Sequence, residues 1–491
     1  MNIINFENEL SHVNFLYCSL LMIFLHRSLS TSIASLEPTM NLNAISPLDN
    51  RYTSQLTDLV PHLSHFALIY YRVQIEIEWL RFQSKHPGIT HVRTFTPEED
   101  SQLQSWLDGF DEAQAKRVTD IERETNHDVK SVEYYIKELL APTSMADVSE
   151  AVHFGCTSED INNLSHALMI KNAIEQVWRP QAEELTQALT DRAKDARDLS
   201  ILAHTHGQPA TPTTLGKELA VFVYRWQRQL KQLDHIEYLG KFNGATGNYN
   251  AHVSAYPNLN WQNIAQEFIE SLGLTFNPLT AQIDPHDYMA EIFHLIIRFN
   301  TITLDFCRDM WTYISMGYFR QKTVAGEVGS STMPHKVNPI NFENAEANVG
   351  ISTSLLEHLA TKLPVSRLQR DLSDSSAIRN MGPAIAHSSI ALQSALKGLH
   401  KTEANETTIQ RYLKPEWAIL GEAIQTVMRK AGIANPYEQM KTLTRGVQVT
   451  QEDITIFINK LDIPAEDKNY LSKLTPATYI GVAPDLVDHI L

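Results

Sequence analysis

Between Met289 and Met316 the chain runs without a glycine or proline, and Ile292, Leu295, Phe299, Ile302, Phe306, Met310 and Tyr313 recur along it in steps of three or four. At about 1.5 Å per residue this spacing predicts an amphipathic helix on the order of 40 Å long, longer than a small domain is wide. Two further stripes have the same character. Leu215, Leu219, Phe222, Trp226, Leu230 and Leu233 form one; Leu164, Leu168, Ile174, Trp178, Ala182, Leu185 and Leu189 form another, with a bend expected at Pro180. Such stripes are core far more often than cofactor boxes. Long helices must pack side by side to hide them, so the expected fold class is mainly α, with three helical domains and a long central helical bundle.

The chain has 491 residues, of which 43% are hydrophobic and 20% charged, in the range of folded globular proteins. Lys and Arg number 41 against 57 Asp and Glu, a net charge of −16, which argues against a nonspecific grip on nucleic-acid phosphates. Any anion must then be held by a local gathering of basic residues. Cys18, Cys156 and Cys307 are widely spaced and include no CxxC pair, so neither a disulfide framework nor a zinc knuckle is indicated; a reducing cytoplasm fits.

Residues 1–39 read as a leader outside the native fold. The apolar run Phe15–Leu25 is too short to span a bilayer, and Glu7 and Glu9 stand where a secretory signal carries basic residues. Met40 opens "MNLNAISPLDNRY" like a natural start. Beyond it, residues 40–147 read as an N-terminal helical domain, 148–399 as the long-helix domain and 400–491 as a C-terminal helical domain.

Polar, glycine-punctuated connections lie between the helical stretches, and scaffold-held loops are where function usually sits. "AHTHGQPATPTT" places His204 and His206 two apart. This suits a metal when the pair stands on a strand, but no HExxH or CxxC supplies further ligands and the flanks read as helical. The alternatives are a His206 that packs at a turn and one that serves as acid or base, which its near-neutral pKa suits. "CTSED" reads as a helix N-terminus capped by Thr157 or Ser158, a place that also offers free N–H groups to an anion. "ETNHDVK" is likewise a cap motif by default, and a substrate-facing His127 if the loops converge. In "SRLQRDLSDSSAIR", Arg367, Arg370 and Arg379 alternate with hydroxyls; the set is either a solvated helix face paired with Asp371 and Asp374 or a phosphate or carboxylate site.

"AGEVGSSTMPHKVNP" (Ala325–Pro339) is the densest such segment. It lacks the second glycine of a nucleophile elbow, which argues against a serine esterase. A mobile loop that brings Ser330 and Lys336 onto an anionic substrate, with Gly326 and Gly329 as permissive backbone points, accounts for more of its residues than a plain surface loop does.

"GSSTMPHKVNP" resembles the signature of the fumarase and aspartase superfamily. With "TSEDINN", "THGQPATP", "NGATGNYNAH", "IDPHDY" and His335 in "MPHK", the chain from Met40 onward is similar to the adenylosuccinate lyases of bacterial type. The resemblance implies an almost all-helical homotetramer with the long helices at its core and active sites shared between subunits. It also implies a purine-biosynthetic lyase that needs neither cofactor nor metal, acts on small nucleotides and binds neither nucleic acid nor membrane. Fumarate would leave adenylosuccinate, giving AMP, and the succinylcarboxamide ribotide of the same pathway.

By the same resemblance Ser330 is the catalytic base and His206 the acid. Thr157, Ser158, Lys336 and Asn338 hold the succinyl carboxylates. Asn126, His127 and Asp128 of "NHD" assist binding. Arg51 and Tyr52 of "NRY", with Arg370, Ser375 and Arg379, bind the nucleotide, and Gln282 contacts substrate. Asn50 and Asn341 depart from the residues expected there, Gly and Asp, without removing a catalytic group. A different fumarate-releasing lyase, of argininosuccinate or aspartate, and a noncatalytic relative of the bundle are the competing readings; the Arg–Ser cluster argues against the first, since simple amino acids need no phosphate site.

Overall fold

The computed structural model of the protein describes residues 42–322, 333, 336–446 and 448–491. Residues 1–41, which include the expected leader, and most of the signature loop, Ser330 and His335 included, lie outside the described residues. The fold is mainly α. Its helices include α1 (His65–Lys85), α2 (Asp128–Leu140), α3 (Ser158–Ala173), α4 (Arg179–Asp195), α5 (Leu215–Leu233), α6 (Asp287–Ser315), α7 (Ile340–Lys362) and α8 (Met381–His400). Strands among the described residues occur only as two-stranded ribbons.

The expected stripes are buried: Ile292, Leu295, Phe299, Ile302, Phe306 and Met310 on α6, the six positions on α5, and the series from Leu164 to Leu189. Tyr313 alone is half-buried. The break near Pro180 takes a specific form. Residues Ile174–Trp178 make a π turn between α3 and α4, in which the N–H of Arg179 donates to the carbonyl of Ile174. Pro180 has no N–H to give the carbonyl one turn back, and the wide turn before it absorbs the disruption.

The chain forms two compact units. The first combines residues up to Pro180 with His235–Ile297 and Ile351–Ile390; the second combines Gln181–Asp234, Arg298–Gly350 and Ala391–Leu491. In the first unit Trp79 of α1 packs within 4.5 Å of the Phe242 ring and 5.0 Å of Phe268, measured between ring centroids. Its indole N–H donates to the Phe154 carbonyl at 3.0 Å, so a large apolar side chain is buried with its one polar group satisfied. In the second unit Trp226 of α5 stacks on Phe299 of α6 at 5.6 Å. A separate cluster near the C-terminus, built on Ile424, Met428, Met440, Ile454 and Leu471, gives that segment its own small core. No helix among the described residues is long and apolar enough to cross a membrane.

Candidate active site

The first unit collects guanidiniums and carboxylates at one cleft, some buried and some at its edge. α1 is apolar around Arg72, whose side chain is only 4% exposed. An isolated buried guanidinium would be very unfavourable, and here it is matched: Nε donates to Asn162 Oδ1 at 2.8 Å and Nη2 to Asp128 Oδ2 at 2.6 Å. Arg379 approaches the same carboxylate at 3.7 Å. Burial works against the charge of Asp128, but Arg72 and Arg379 outweigh it and hold this carboxyl below its usual range.

The segment after α7 supplies the other half. Arg367 remains on the surface, paired with Asp371 at 3.3 Å, as the solvated-face reading has it. Arg370 turns out differently: the short helix Ser373–Ile378 begins only after it, and its Nη1 donates to Glu159 Oε2 of α3 at 2.8 Å and to Gln282 Oε1 at 3.2 Å. Gln282 in turn donates to the Ala245 carbonyl at 2.8 Å, which fixes its amide. Asp374 lies 3.9 Å from Nη2 of Arg370. Ser375 lines the cleft between these groups, beside His166, His286 and Asn162.

Glu159 is buried, and its carboxyl is pushed up to about 7, first by burial and then by the like charge of Asp374, with Arg370 opposing. The short ion pair does not prevent this, because loss of water from a carboxylate this deep exceeds what one shared guanidinium returns. Burial likewise lowers the pKa values of His286 and, much further, His166, where Arg72 adds to the effect, and so favours the neutral form of both rings. Glu159, His286 and Asp374 bring donor atoms within 4.8 Å of one another. The guanidinium of Arg370 lies against both carboxylates, so the place a divalent cation would need already carries a fixed positive charge, and the set does not fit a metal.

The cap motifs take up their expected positions. Thr157 is the N-cap residue of α3, and its N–H donates to Asp160 Oδ2 at 2.8 Å; Thr157 and Ser158 are half-buried. His127 caps α2, its Nδ1 accepting from the Lys130 N–H at 3.1 Å, which leaves Nε2 of an exposed ring outside the cap. Asn126 precedes it in the left-handed conformation, φ 53°, and closes the Glu112–Thr125 helix. Arg51 is exposed and Tyr52 half-buried on the tight turns of Pro47–Gln55.

His206, Lys336 and Asn338 belong to the second unit. The helical flanks expected around His206 are replaced by a hairpin: His204 pairs with Pro209 and Thr205 with Gln208. That leaves a two-residue loop of His206 and Gly207, with φ of 53° and 74°. Positive φ at both central positions is the type I′ turn that suits the twist of paired strands, and Gly207 supplies the second without strain. His206 accepts a conformation that few side chains adopt and stands exposed at the tip. Lys336 is exposed, and its N–H donates to the Met333 carbonyl at 3.0 Å; half-buried Asn338 leads into α7.

Of the expected residues, the structure therefore brings together Asp128, Gln282, Arg370, Ser375 and Arg379. Sequence reasoning missed Arg72, Glu159, His166 and His286, and had Asp374 only as a partner of the arginines on a solvated face. Arg72 had a signal, a lone cation inside the apolar run "ALIYYRVQI"; Glu159 had none beyond its place in a capping segment.

The lyase family matches residues 67–351 and the adenylosuccinate lyase C-terminal family residues 366–480. The adenylosuccinate lyase of Haemophilus influenzae is 50% identical over 450 residues, 91% of this chain and 99% of that protein. That of Escherichia coli K12 is 51% identical over 451 residues, 92% and 99% of the two chains. Among solved structures, a fumarate lyase from Mesorhizobium superposes with a TM-score of 0.72 at 17% identity, over 88% of this chain and 96% of that one. A 3-carboxy-cis,cis-muconate lactonizing enzyme from Pseudomonas putida does so with a TM-score of 0.71 at 19% identity, over 88% and 95%. Likeness at that level speaks for the fold, whereas identity of about half the residues over nine-tenths of the chain speaks for more: the protein belongs to the adenylosuccinate lyase family, within the fumarase and aspartase superfamily.

Proposed function

We propose that this protein removes fumarate from adenylosuccinate, giving AMP, and from succinylaminoimidazolecarboxamide ribotide, giving AICAR, in purine biosynthesis. The observation that carries the reading is the match over nine-tenths of the chain to adenylosuccinate lyases. In the reaction a base takes the proton on the carbon next to a succinyl carboxylate. The electrons of that C–H bond form the new double bond, the C–N bond breaks toward nitrogen, and an acid protonates the leaving nitrogen. Ser330 is assigned the base and His206 the acid. A serine hydroxyl is a weak base, so its alkoxide must be stabilised, by backbone N–H groups of its loop and by Lys336.

Thr157 and Ser158 at the start of α3, with Lys336 and Asn338, hold the succinyl carboxylates, where charge accumulates in the transition state. Arg370, Ser375 and Arg379, with Arg51 and Tyr52, hold the nucleotide phosphate and ribose. Gln282, fixed between Ala245 and Arg370, contacts the substrate, and Asn126, His127 and Asp128 orient it. The enzyme works in the cytoplasm as a homotetramer with shared sites; exposed Val221 and Tyr224 on α5 and Trp311 on α6 offer apolar surface for subunit packing.

The test is fumarate release from adenylosuccinate by purified protein beside its Ser330→Ala variant, with argininosuccinate and aspartate as rival substrates. Turnover of adenylosuccinate alone, lost in Ser330→Ala, is the expected result; folded protein that ignores adenylosuccinate overturns it. Mixing inactive His206→Ala and Ser330→Ala proteins restores activity if subunits exchange and share sites, and no recovery despite demonstrated exchange counts against sharing.

A further inference from the structure

The guanidiniums assigned to the nucleotide are not waiting empty. Arg72 and Arg379 face Asp128, and Arg370 faces Glu159 at 2.8 Å with Asp374 at 3.9 Å, so three cations meet three carboxylates in the first unit. A phosphate brought to Arg370 meets a guanidinium that a buried carboxylate already holds. Two negative groups sharing one cation in a water-poor cleft repel each other, and the one able to take a proton relieves the repulsion by doing so.

We infer that Glu159 is a positioning residue for Arg370: it holds the guanidinium in the free enzyme and takes up a proton when the nucleotide phosphate claims that guanidinium, so that binding and proton uptake are one event. This rests on the proposed assignment of Arg370 to the nucleotide. The surroundings of Glu159 favour it. Asp374 and Asp160 press its pKa upward, Arg370 and Lys241 press it downward, and His286, whose neutral form burial favours, adds little charge. Lys241 gives little help, because its ammonium is committed to Asp160 at 2.9 Å with both side chains fully buried. The carboxyl therefore sits near 7 before any ligand arrives, where added negative charge readily completes protonation.

The ligand raises the Glu159 pKa further, so the bound state holds more protons than the free state above about pH 7, and affinity falls as pH rises through that window. The phosphate itself loses its second proton near pH 6 and is already a dianion there, so it contributes no opposing trend.

The experiment measures fumarate release from adenylosuccinate by the full chain between pH 6.5 and 9, and AMP binding by calorimetry in buffers of different ionisation enthalpy. For the wild type, KM is expected to rise toward about tenfold per pH unit above neutrality while kcat holds, with AMP binding taking up close to one proton at pH 8. Glu159→Gln, which keeps the shape and an acceptor for Arg370, is expected to flatten the KM profile and abolish the uptake. Asp374→Asn removes the neighbouring like charge and is expected to move the bend in KM to lower pH, which keeps the idea testable should Glu159→Gln not fold. An unchanged KM profile in folded Glu159→Gln, or AMP binding without proton uptake in the wild type, overturns the inference while leaving the lyase reading intact. Wild-type protein that is folded but neither cleaves adenylosuccinate nor binds AMP overturns both.

Discussion

The Arg370 cluster and the His206 hairpin prepare for chemistry in opposite ways. In the cluster Arg72 and Arg370 are buried or half-buried against carboxylates while Arg379 reaches in from the surface, and position is maintained by charge pairing over long sequence separations, Glu159 to Arg370 and Arg72 to Asp128. The hairpin carries its histidine in the open, and position comes from four consecutive residues and two positive φ angles. A buried ion-pair network is rigid but leaves a group uncompensated when one member is lost. A tight turn holds one side chain at little cost elsewhere in the molecule, and it has no redundancy.

The contrast is sharpest at His206. Its replacement by Ala is expected to lower kcat by about 10²- to 10⁴-fold, the range for loss of a general acid, with no change in the thermal midpoint because the side chain is exposed; steady-state kinetics beside a circular dichroism melt would check both. Lys241→Met, next to the cluster, is expected to behave the other way. It strands Asp160 where neither partner has any solvent exposure, at a cost of about 3–5 kcal/mol read from urea unfolding. A double variant that also carries Asp160→Asn should recover part of that loss, and failure to recover would show that packing rather than charge dominates there.

The smallest expected effect tests the hairpin's backbone. Gly207→Ala places a side chain at φ 74° with nothing within 4 Å of its Cβ, so the cost is conformational, about 1–2 kcal/mol. Because the turn is short and exposed, that strain is expected to appear as a severalfold loss of kcat rather than as a lower thermal midpoint. Equal losses in both would mean that the turn is coupled to the unit's core more tightly than its local hydrogen bonds suggest.

What was legible in the sequence divides along the same line. The long helices could be read because burial imposes a three-to-four spacing within one segment, and the stripes on α5 and α6 needed no partner to be recognised. The capping role of His127 and the N-cap at Thr157 were also local. The connection between helices and a turn at His206 were open to reading, but its flanks read as helical where the chain forms a hairpin, although Gly207 directly after His206 is the signal for a turn with positive φ. Glu159 was invisible for a different reason: a residue that follows a cap reads as a first-turn acid, and only the return of the chain more than two hundred positions later brings Arg370 to it. Arg367 and Arg370, three residues apart, read alike from the sequence as part of a solvated face or an anion site; the fold separates them, with Arg367 at the surface on Asp371 and Arg370 against buried Glu159.

The wide turn at Ile174–Trp178 makes the junction of α3 and α4 a splice point. A π turn is an α-helix with one residue too many, so the chain can shorten by one there and heal into ordinary helix without rephasing the buried faces on either side. Anywhere else along these helices a single deletion turns every later side chain by about 100° and drives the stripe out of the core. Variation in length within this long helical rod is therefore expected to be confined to that one turn.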